Sequence, residues 1–141
     1  QQRCSVAGMY EDAAYAFDAL NQTAAPVEQL YQEVYPEQYR THADTTAAVL
    51  PEWRLARSPF TSGIVNDYSQ LAYHRDRGNF AGCWSAMIVL RDGVTGGNLL
   101  LYFDGQQTVH GVSPMRAHAA NAYRYSVVFY SFYEMWRCEA I

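Results

Sequence analysis

The sequence predicts an α+β fold in one domain, residues 1–141, with a helical flank over residues 1–52 and a β core over residues 53–138. Two patterns and one absence predict it. The first fifty residues carry apolar side chains at three- and four-residue spacings. From Trp53 the runs are short, β-branched or aromatic, and separated by Gly, Pro, Asn and Asp, while no segment repeats. Helices followed by a procession of strands suggest a sandwich or barrel core. With 141 residues, half of them apolar, the chain can bury such a core.

Within the flank, Glu11 to Leu20 sets Ala13, Ala14, Phe17 and Leu20 at helical spacings. Pro26 fits the first turn of a second helix running through Tyr31. A third helix is expected from Gln38 to Ala48, closed by Leu50-Pro51. Strands are then expected at Trp53–Ala56, Ser62–Val65, Gln70–His74, Trp84–Arg91, Leu99–Phe103, Thr108–Val112 and Tyr123–Phe132.

Charge and cysteine content narrow the function classes. The net charge is −4 and all ten basic residues are Arg, which argues against generic electrostatic capture of nucleic acid but leaves room for local Arg contacts to phosphate. No apolar run is long enough to cross a bilayer, and no signal-peptide pattern opens the chain, so no membrane partner and a cytoplasmic setting are expected. Cys4, Cys83 and Cys138 are odd in number, widely spaced and without a Cys-x-x-Cys pair. Reduced thiols are therefore expected rather than a zinc knuckle or a disulfide framework.

The chemistry-bearing residues are concentrated in two places. His74 and Asp76, two apart at the end of an apolar run, project to one face of an extended strand. His110 on a distant strand would complete two imidazoles and one carboxylate, the set that suits non-haem Fe(II) and leaves three coordination positions open. Alone, His-x-Asp is a common pair and His110 reads equally well as a buried His with a satisfied hydrogen bond. The later pair gives the combination its weight. Arg124 and Ser126 lie two apart in an apolar strand, where a guanidinium and a hydroxyl on one face would hold the distal carboxylate of 2-oxoglutarate. The competing reading of Arg124 is a salt bridge to an acidic residue.

The motifs His74-Arg75-Asp76-x-x-Asn79, Gly96-Gly97, Phe103-x-Gly105, His110-Gly111-Val112-x-Pro114 and Arg124-x-Ser126-x-Val128-Phe129-Tyr130 resemble the ten-eleven translocation and J-binding-protein superfamily of nucleobase dioxygenases. The likeness is to its compact phage and bacterial members, and it covers Trp53 to about Cys138. It implies a double-stranded β-helix of jelly-roll or cupin type, in which His74, Asp76 and His110 bind Fe(II) while Arg124 and Ser126 bind 2-oxoglutarate. It further implies that Asn79 hydrogen-bonds a pyrimidine flipped out of DNA and that Tyr130 stacks on it, as a base taken out of the stack is read. Hydroxylation of the 5-methyl group of 5-methylcytosine or thymine by O₂, in the cytoplasm of a bacterium or phage-infected host, is the activity this implies.

Two features depart from the family pattern. Phe132 stands where animal members have His. Only thirty-six positions separate His74 from His110, fewer than the family's strands require, so either the β-helix is pared down or a further segment belongs between Gly97 and Leu99; the second is the expectation, with the chain, which starts at Gln1, part of a longer protein. Other classes share parts of the pattern. A small-molecule 2-oxoglutarate hydroxylase would use the same five residues, a cupin-like metal-binding module would lack a nearby Arg124, and an inactive DNA-binding relative would keep the fold without iron.

Overall fold

The structure, a computed structural model, describes residues 12–97 and 101–140. The architecture is α+β. Helix α1 spans Ala14–Val34 and α2 spans Pro36–Thr45. Among the described residues they are followed by two 3₁₀ turns, six strands, β1 (Ser62–Asp67), β2 (Ser85–Asp92), β3 (Val94–Thr95), β4 (Leu101–Phe103), β5 (Arg116–Ala117) and β6 (Tyr123–Tyr130), and a last 3₁₀ turn over Tyr133–Arg137. Four strands form an antiparallel sheet in the order β1-β6-β2-β4, and β3 pairs with β5 in a second, two-stranded ladder.

The two expected N-terminal helices are one. Pro26 lies inside α1, where it removes a backbone hydrogen bond at a cost of about 3 kcal/mol. The helix continues because the apolar series Phe17, Leu20, Ala24, Val27 and Tyr31 runs unbroken past the proline and packs against the sheet. Burial of several such side chains, at roughly 1.5–3 kcal/mol each, outweighs the lost bond. Pro36 makes the real break. It disfavours helical backbone at Tyr35, which sits at φ −132°, and then opens α2 as its first residue.

The β expectations were met where strands are long and sheet-paired. Ser62–Val65, Trp84–Arg91 and Tyr123–Phe132 correspond to β1, β2 and β6 within a few residues. Trp53–Ala56 is instead spread over the 3₁₀ turns Pro51–Trp53 and Leu55–Arg57, because Pro51 starts a tight turn and Ala56 adopts a positive φ of 49°. The runs at Gln70–His74 and Thr108–Val112 form no strand, and are joined by the His74–His110 bridge and by the Val112 N–H donating to the Leu71 carbonyl at 3.0 Å. The expected extra segment between Gly97 and Leu99 falls at residues 98–100, outside the described residues.

One sheet supplies both the core and the site, because side chains alternate along β6. Val127 and Phe129 join Ala86, Phe60 and the apolar face of α1 in the core. Arg124, Ser126, Val128 and Tyr130 face the other way and line a cavity. The flank is therefore the support that holds β6 from behind.

The expectation of three reduced thiols holds for Cys83, which is free and buried, and fails for Cys138, which is disulfide-bonded. Wide sequence spacing misled the reading, since a disulfide requires only that folding bring two Cα atoms within about 7 Å. Among the described residues no helix is long and apolar enough to cross a membrane.

Candidate metal centre and anion subsite

His74, Asp76 and His110 converge. The two histidines face each other across an antiparallel bridge, with His74 N–H donating to the His110 carbonyl at 2.8 Å and the reverse bond at 2.9 Å. Asp76 N–H donates to the Gly105 carbonyl at 2.8 Å, which fixes the third backbone segment against the same turn. The Asp104 carboxylate holds that turn by accepting from the N–H groups of Gln106 and Gln107. Nε2 of His74 and Nε2 of His110 each lie 3.5 Å from Oδ1 of Asp76. One ligand atom from each residue lies within 4.8 Å of the other two, as a shared cation requires.

The far side of each imidazole sets its tautomer. Nδ1 of His74 is 2.8 Å from the Ala72 carbonyl, and Nδ1 of His110 is 3.0 Å from the Thr108 carbonyl. A carbonyl can only accept, so each neutral ring carries its proton on Nδ1 and turns the Nε2 lone pair inward. That is the outer-shell arrangement of metal-bound histidines. Phe103 packs its ring 4.5 Å from that of His110, centroid to centroid, and restrains its rotation.

Gly105 leaves room for the carboxylate. A Cβ there would overlap Oδ2 of Asp76 and stand 3.0 Å from its Cγ, with the backbone bond between the two residues preventing retreat. Phe103-x-Gly105 thus combines the His110 support with the space that Asp76 occupies.

Arg124 lies in the same cavity, of about 440 Å³, at the far end of β6. It is 1% exposed and forms no ion pair with a carboxylate among the described residues. Nε and Nη2 donate to the Gly97 carbonyl at 3.2 and 3.1 Å, while Nη1 is buried without a partner. Burial, and after it the neighbouring Arg91 charge, lower the Arg124 pKa from its ordinary value. A buried cation with a nitrogen left unpaired is costly unless an anion reaches it.

The remaining sequence-derived residues line the cavity as well. Ser126 is buried beside Asn66, whose Nδ2 donates to its Oγ at 3.4 Å. Tyr130 has its phenol pKa raised by burial first, with the Asp76 charge adding to it, so the hydroxyl is neutral. Asn79 is only 6% exposed, its Nδ2 donates to Ser85 Oγ at 3.4 Å, and its carbonyl accepts from Gln106 Nε2. All seven residues picked from the sequence therefore border one cavity.

The sequence assigned no role to Asn66, Ser113 or Gly97, the last of which figured only in the Gly96-Gly97 motif. Asn66 is paired directly with Ser126 in the β1–β6 register, and Gly97 N–H donates to Ser113 Oγ at 3.0 Å. A signal existed for Asn66 alone, as a polar side chain two residues beyond Ile64 and so on the same face of β1. The donor set fits a divalent metal, and Arg124 with Ser126 fits a carboxylate. No family model matches the chain, and no curated protein or solved structure matches it.

Proposed function

We propose that the protein is an Fe(II)- and 2-oxoglutarate-dependent dioxygenase that hydroxylates the 5-methyl group of a pyrimidine base in DNA. The observation that carries this reading is the coexistence, in one cavity, of an inward-facing His74–Asp76–His110 set and the unpaired Nη1 of buried Arg124. Neither feature alone selects the chemistry. Bound Fe(II), with 2-oxoglutarate and O₂, supplies a C–H hydroxylation in which one oxygen atom enters the methyl group and the other enters succinate as CO₂ leaves.

The chain's own residues position and shield. His74, Asp76 and His110 would hold the metal on one side and leave the opposite side open to small ligands. Arg124 and Ser126 would grip the distal carboxylate of the cosubstrate. Tyr130 offers a neutral aromatic face and Asn79 a polar wall to the base, while Phe103, Val128 and Phe132 exclude water. A double-stranded β-helix belongs to the same reading. The β1-β6-β2-β4 sheet would be one half, with the β3–β5 ladder and the His74–His110 bridge on the opposing side.

The net charge of −4 without Lys favours a second reading, a small-molecule hydroxylase using the same residues. A cytoplasmic setting suits DNA as substrate, whereas the disulfide at Cys138 weighs against it. Incubation with Fe(II), 2-oxoglutarate and DNA containing 5-methylcytosine, followed by nucleoside mass spectrometry, separates the readings. The proposal expects 5-hydroxymethyl nucleosides from cytosine or thymine sites. Succinate release with unmodified DNA would overturn the DNA assignment and leave the hydroxylase.

A further inference from the structure

Each anion-binding side chain of the cavity has part of its hydrogen-bonding capacity already occupied by a group outside the metal centre. The Gly97 carbonyl takes two of the Arg124 donors, Nε–H and one Nη2–H. Asn66 donates to the Ser126 hydroxyl, so the Ser126 proton is directed away from Asn66 and is free to be given. What is left on these two cavity-lining residues is the orphaned Nη1 of Arg124, the second Nη2–H and the Oγ–H of Ser126.

The geometry points to Gly97 and Asn66 as the positioning residues of a two-donor carboxylate subsite, one fixing the guanidinium and the other fixing the hydroxyl as a donor. This rests on the proposed use of a 2-oxo dicarboxylate, and it assigns roles to residues that touch the anion only through Arg124 and Ser126.

The Gly97 carbonyl is itself anchored. The N–H on the other side of the Gly97 Cα donates to Ser113 Oγ at 3.0 Å, and the Arg91 guanidinium donates to the Val94 and Gly96 carbonyls at 2.6 and 3.3 Å. Gly97 adopts φ +61°, and a Cβ there would stand 2.7 Å from Arg124 Nε and 3.0 Å from Met115 Sδ. Any L side chain at 97 would be strained and would push on the guanidinium that the carbonyl holds. At Asn66 the sensitive change is to Asp. A carboxylate there accepts the Ser126 proton, reverses that hydroxyl and adds a negative charge facing the incoming anion.

The test is anaerobic calorimetry on the Fe(II)-loaded protein with two probes, 2-oxoglutarate and 2-oxobutanoate, which shares the keto-acid end but lacks the distal carboxylate. Wild type should prefer 2-oxoglutarate by at least tenfold. In Gly97→Ala and in Asn66→Asp that preference should fall to within about threefold, with Fe(II) affinity and 2-oxobutanoate affinity unchanged. Asn66→Gln should restore part of the preference, which general unfolding would not allow. If Gly97→Ala fails to fold, Asn66→Asp carries the decision. Retention of the full preference in a folded Asn66→Asp protein would overturn the inference while leaving the function standing. Absence of any preference in wild type would overturn the 2-oxoglutarate reading and this inference with it.

Discussion

Replacing Arg124 by Met removes the guanidinium and keeps an unbranched side chain that can fill the space behind it. The cost to the empty protein has opposing parts. The two donors share one acceptor, the Gly97 carbonyl, so their loss is counted once, at about 1.5–3 kcal/mol for a charged donor. Against this, a buried donor without a partner, Nη1, disappears, which returns about 1–3 kcal/mol. The net change in stability is therefore within about 2 kcal/mol of zero. Cosubstrate binding has no such compensation. Loss of the charge-assisted bonds from Arg124 should weaken 2-oxoglutarate by about 2–4 kcal/mol, or roughly 30- to 700-fold. Denaturant unfolding without ligand and calorimetry with Fe(II) and 2-oxoglutarate measure the two quantities separately. A variant with unchanged 2-oxoglutarate affinity would show that the carboxylate is held elsewhere, and one destabilised by much more than about 3 kcal/mol would show that Arg124 is chiefly a structural residue.

Three further outcomes are expected. His42 is fully buried between Tyr31 and Phe60, its Nε2 bonds Ser131 Oγ at 2.7 Å, its Nδ1 has no partner, and burial lowers its pKa from 6.5 to about 4. The unfolded chain thus binds a proton that the folded one refuses between those values, so stability is full above about pH 6.5 and falls by about 3 kcal/mol toward pH 4. His42→Leu should flatten that part of the pH dependence of urea unfolding, and an unchanged slope would refute the assignment. Gly105→Ala should displace the Asp76 carboxylate and weaken Fe(II) binding by about 10- to 100-fold, read by anaerobic titration; equal affinity would mean that Asp76 is not a ligand. Cys138 should resist alkylation in the denatured, unreduced protein and react after reduction, whereas labelling before reduction would contradict the disulfide.

The site was more legible in the sequence than the fold that holds it. A period of two alone places Arg124, Ser126 and Tyr130 on one face of β6, and the same rule pairs His74 with Asp76. Pro26 was misread because local preference was weighed without the sheet that rewards a continuous α1. The strands β3 and β5 escaped notice because two-residue elements carry no periodicity. Gly97 stood out in the sequence only as half of the Gly96-Gly97 motif, with no role attached, for a different reason. It acts through a backbone carbonyl, which any residue type supplies, and only its φ and its proximity to Arg124 reveal the role.

Whether His74, Asp76 and His110 form one metal site is decided by anaerobic titration of the purified protein with Fe(II). Wild type should bind one equivalent, and a folded Asp76→Ala or His110→Ala protein should lose it. Binding of the same strength in either variant, or none in wild type, would contradict a shared site.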